Sequence, residues 1–167
     1  MKANRFALAI ASGAVAGMLA TLPTLAASTP PPASHEAMVE HGSRSVMPFD
    51  LDRTMHVFEP TADGGVQTVI VHDDDPQQVA LVRSHLRKEA VRFARGDFSD
   101  PAAIHGTKMA GLELLRSGAK RIAVSYSDAA RGARIRYATT DPQLIGAIHA
   151  WFAAQVKDHG AHAMTAR

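Results

Sequence analysis

The sequence predicts an α+β fold: two ββα units forming a mostly antiparallel sheet with helices packed on one face. Three observations predict it. Short runs rich in β-branched residues occur in pairs around turn residues, and each pair is followed by an Asp-Pro dipeptide that opens an amphipathic stretch. A constant shift of 66 residues superposes one arrangement on the other without a gap, setting Phe58 on Val124, Val69 on Ile135, Val82 on Ile148 and Leu86 on Phe152. The identical triplet at both helix starts is Asp75-Pro76-Gln77 and Asp141-Pro142-Gln143. A duplication and a shared capping habit both account for it.

The elements follow in order. Residues 1–26 read as a secretory signal peptide, with a basic start (Lys2, Arg5), an uncharged apolar run over 6–19, and small residues at a cleavage point beside Ala26 and Ala27. Gly13, Gly17 and Pro23 interrupt that run, so no stable membrane anchor is expected after cleavage. Residues 27–48 hold four prolines and no hydrophobic period, and are expected to be a disordered leader. A single domain is expected over 49–160, with a C-terminal tail over 161–167.

Within that domain, 55–59 and 66–72 read as strands joined at Asp63-Gly64-Gly65. Asp75 caps a helix whose buried stripe is Val79, Val82, Leu86 and Phe93 and which stops at Gly96. Two short helices end at Gly106 and Gly118. Strands over 121–125 and 133–138 and a helix from Pro142, with Ile145, Ile148, Phe152 and Val156 inward, complete the second unit.

Composition narrows the function. The chain has 18 Lys and Arg against 16 Asp and Glu, but the predicted signal peptide carries two of the cations and none of the anions. The exported chain is then formally neutral, the pI of 9.2 belongs largely to the discarded segment, and no nucleic-acid partner is expected. There is no cysteine, which excludes disulfides, a lipid-bearing cleavage-site cysteine, and thiolate zinc or iron–sulfur centres. No Gly-x-Ser-x-Gly elbow, His-Glu-x-x-His, Walker loop or Gly-x-Gly-x-x-Gly is present.

Nine histidines remain to be explained, several of them near methionine. His105 precedes Met109 by four residues, which on a helix aligns an imidazole and a thioether; Gly106 makes a turn equally compatible. That donor pair suits copper, especially Cu(I), with zinc as the alternative. His159, His162 and Met164 cluster where the last helix should stop, and His159 continues its buried stripe. His56 falls at an inward strand position, where an imidazole needs a hydrogen bond or a metal. His85 and Glu89 stand four apart, so that the carboxylate can orient the ring. Weaker metal candidates are His35, Met38 and His41 in the leader, His149 and Met164. For each, core packing, helix capping or solvation is the ordinary alternative.

The strings MPFDLDRTMHVFEPTADGGVQTV, HLRKEAVRFARGDFSDPAAIHG and DPQLIGAIHAWFAAQVKDHGAHAM resemble a group of small exported proteobacterial proteins, over most of residues 47–164. Members of that group are sometimes labelled aspartate carbamoyltransferase. That activity is not expected of this chain, because such an enzyme needs a Ser-Thr-Arg-Thr-Arg type phosphate loop and two domains to clamp carbamoyl phosphate. The expectation is a periplasmic metal-binding protein that buffers copper or passes it to a periplasmic protein partner. A metal-free binding module using the helix-free sheet face around Ile70 is the second reading, and a small enzyme the third.

Overall fold

A computed structural model describes residues 34–166. The predicted signal peptide, the start of the leader and Arg167 lie outside the described residues. The described residues belong to one compact unit.

The leader departs from expectation. Helix α1 (His35–Val46) forms within it, capped by Ser34, whose hydroxyl accepts from the Ala37 N–H. Val39 and Ser43 are buried on its inner side, and α1 packs against α3 (Ser99–His105) and the last helix. A Cβ on Gly42 would stand 3.1 Å from the Ile104 Cα, so its bare backbone permits the close approach to α3. The proline content of 27–48 masked this, because all its prolines lie outside the helix and the inward residues are too few to show a period.

Strands β1 (Thr54–Thr61) and β2 (Gly64–Val71) form the first hairpin, and β3 (Ala123–Ala129) and β4 (Gly132–Ala138) the second. They join antiparallel through β2 and β4, from Gly64 opposite Ala138 to Ile70 opposite Gly132. The predicted tail adds β5 (Ala163–Thr165), which pairs parallel with β1 and completes the order β3-β4-β2-β1-β5. Residues 161–165 are thus part of the sheet edge and its approach, with Ala163 buried.

Helices α2 (Pro76–Phe93) and α5 (Pro142–His159) are both 18 residues long and differ in number by 66 at both ends. Each begins with proline behind an aspartate whose carboxylate accepts from the first-turn N–H groups, which satisfies donors the helix cannot. With α4 (Leu112–Gly118) packed on α5, they cover one face of the sheet. Phe58, Val69, Val71, Ile135 and Tyr137 point from the strands into the core; Val82, Leu86, Ile148 and Phe152 meet them from the helices. The architecture is α+β, as expected.

Candidate metal centre

Three positions on each long helix, four apart, face one another: His85, Glu89 and Phe93 on α2, and Trp151, Gln155 and His159 on α5. All six line one cavity of about 40 Å³. His56 of β1 and His105 at the end of α3 complete its imidazoles, Asp100 adds a second carboxylate, and Val46 and Met47 wall it from the end of α1. Four imidazoles, two carboxyl groups, the Gln67 and Gln155 amides and a thioether thus share a space that holds an ion or a few waters.

The rings of His56 and His159 lie stacked with centroids 5.3 Å apart, and His105 meets His159 edge-on at 4.8 Å. Two imidazoles bound to one tetrahedral ion at about 2.0 Å have centroids about 5 Å apart, so the spacing suits a shared ion. Their orientation does not yet: among the described residues no three His, Asp or Glu side chains form a ligand set as they stand. The parallel His56 and His159 rings must turn to aim nitrogens at a common point.

Burial holds these imidazoles neutral. Desolvation lowers His56 to about 4, against a hydrogen bond to the His162 backbone that works the other way. Desolvation first, then the neighbouring His56 and His105, lowers His159 to about 3. His85 falls to about 4 for the same first reason. His105 is also lowered, by burial first, with the Asp158 hydrogen bond and charge opposing the shift. The Asp158 carboxylate accepts from His105 Nδ1 at 3.0 Å and contacts His35 Nε2 at 3.1 Å with its other oxygen. It therefore fixes the His105 tautomer with Nε2 unprotonated, as carboxylates do for metal-binding histidines.

The far wall is acidic and tightly held. Arg92 Nη1 donates to Glu89 at 3.1 Å and to Asp100 at 2.6 Å. One cation cannot balance two carboxylates in a buried place, and burial together with Asp100 pushes Glu89 up to about 7. Three buried side-chain polar atoms have no hydrogen-bond partner among the described residues: His56 Nδ1, Trp151 Nε1 and Ser43 Oγ. The first two belong to residues lining this cavity.

The predicted metal residues separate accordingly. His56, His85, His105, His159 and Glu89 come together. Met109 does not: Gly106, at φ +88°, ends α3 at His105, and Met109 packs in the hydrophobic core. His162 is half-buried outside the cavity, 3.7 Å from Asp52. His149 Nε2 donates to the Thr61 and Gly64 carbonyls and pins the first hairpin turn. His41, Met38 and Met164 are exposed, and His35 acts through Asp158. Gln67, Asp100, Gln155 and Asp158 were missed as site residues. Asp158 adjoins His159 in the sequence, but its partner His105 is 53 residues away, and only the fold joins them.

Comparison of the chain with protein-family models, with curated proteins and with solved structures finds no match. No helix among the described residues is long and apolar enough to cross a membrane.

Proposed function

We propose that the protein, exported to the periplasm, binds one transition-metal ion in the imidazole-lined cavity and buffers it or hands it to a partner. The observation that carries this is the convergence of His56, His85, His105 and His159 on one small buried space, with His56 Nδ1 left unpartnered there. A buried ring nitrogen without a partner costs about 1–3 kcal/mol, which an ion bound to its lone pair would offset. Met47, rather than Met109, supplies the thioether that favours copper, with zinc as the alternative.

Equilibrium dialysis of the chain without its predicted signal peptide against Cu(I), Cu(II) and Zn(II) tests the reading. One equivalent should be retained at micromolar free metal or below, with copper ahead of zinc. No retention of any of the three overturns it.

A second reading, a small acid–base enzyme, draws on Glu89, which holds a proton near neutrality beside Asp100 in the same cavity. Its substrate would have to be no larger than a few atoms. The metal-free module has less in its favour, since Ile70 on the helix-free face is half-buried.

A further inference from the structure

A second cavity, of about 240 Å³, lies against the outer side of His159. The first turns of α1 form one wall with Glu36, Glu40 and Ser43; the end of α5 and the turn after it form the other, with Ala161 and His162. His159 lines both this cleft and the inner cavity, so the two spaces meet at this residue. On its inner side stand His56 and His105, and His162 lines the cleft.

Two features of the cleft point to a hydrated cation. Its carboxylates, Glu36, Glu40 and Asp158, outnumber Lys157, and Asp52 stands beside His162; Arg44 pairs with Glu40 at 2.7 Å and with Asp52 at 3.1 Å, and four carboxylates against two cations leave the mouth net negative. Ser43 is 1% exposed, lines the cleft, and its Oγ has no partner; a hydroxyl so placed can hydrogen-bond a water carried by an ion.

We propose that this cleft is the ion's entry and exit route, with His162 as its first ligand and His159 as the ring that passes it inward. The inference rests on the metal-binding reading and adds the path. The acidic mouth draws the hydrated ion in, His162 displaces part of its water shell, and rotation of the His159 ring carries it to His56 and His105. A route used in both directions has a definite kinetic consequence. Narrowing it slows association and dissociation by the same factor and leaves the dissociation constant unchanged, because it raises a barrier common to both.

Ala161→Phe tests this, since Ala161 is exposed and faces the cleft, away from the inner cavity. Trp151, the only tryptophan, lines the inner cavity, and its quenching by Cu(II) in stopped flow reports arrival of the ion there. Both rate constants should fall about tenfold, a barrier change of about 1.4 kcal/mol, with the dissociation constant unchanged. The double variant Glu36→Lys, Glu40→Lys should slow association about tenfold at low ionic strength, with the gap closing as salt is added. Should Ala161→Phe fail to fold by circular dichroism, the charge variant decides alone. Unchanged rates at intact affinity overturn the route and leave the metal reading standing. Absence of Cu(II) binding by the unsubstituted chain overturns both.

Discussion

Acidifying the metal-free protein should destabilise it through its buried histidines, and His56→Leu should remove a measurable part of that loss. The folded chain holds His56 near 4, against an ordinary value of 6.5. Between those values the unfolded chain binds a proton that the folded chain refuses, so His56 contributes stability above pH 6.5 that disappears as pH falls towards 4. From about pH 7 to about pH 4.5 the loss is about 2.5 kcal/mol for this residue. His85 and His159 lose comparable amounts over the same window, though less than additively, since His56 and His159 repel each other when charged. Glu89 acts in the opposite sense. Its folded value near 7 lies above the ordinary 4.5, so acidification stabilises the folded chain through it by about 2.5 kcal/mol, offsetting one histidine. The aspartates held low, such as Asp97, titrate below the window and drop out. Urea unfolding at the two pH values, with chelator present, measures the difference. The unsubstituted chain should lose several kcal/mol, and His56→Leu about 2 kcal/mol less. Equal losses in the two chains would refute the assignment of a buried neutral imidazole at this position.

Asp158→Asn should weaken copper binding about 10–100-fold in equilibrium dialysis while leaving the fold intact, because His105 loses the carboxylate that sets its tautomer. Arg92→Leu leaves Glu89 and Asp100 crowded without their cation and should cost about 3–5 kcal/mol in urea unfolding, whereas the further change Glu89→Gln should restore part of it. Val39→Ala, at a residue 1% exposed, should cost about 1–3 kcal/mol of α1 docking, seen as faster proteolysis within residues 34–47 before the sheet unfolds.

The frame of the fold was legible because its signals are local. Paired strand runs, aspartate caps followed by proline, and helical spacing of apolar residues act over a few positions, and the 66-residue shift places both ends of α2 and α5 in register. Helix α1 and strand β5 escaped because each is specified by what it packs on: Gly42 against Ile104, and Ala163 beside His56. The site divides the same way. His56 could be placed inward from the 66-residue shift, which sets it on Ile122, and His159 from helical period. His105 with Asp158, and Met47 in place of Met109, depended on the chain turning at Gly106 and on α1 folding back, neither of which spacing encodes.

The seam between β2 and β4 has a mechanical meaning for the centre. Helix α2 rides mainly on β3 and β4 while α5 rides on β1, β2 and β5, so the two triplets of cavity residues are mounted on opposite sides of a seven-pair ladder. Any twist at that ladder moves His85 and Glu89 relative to Gln155 and His159 as two rigid jaws. The stiffness of ordinary backbone hydrogen bonds therefore sets the gauge of the opening between the jaws.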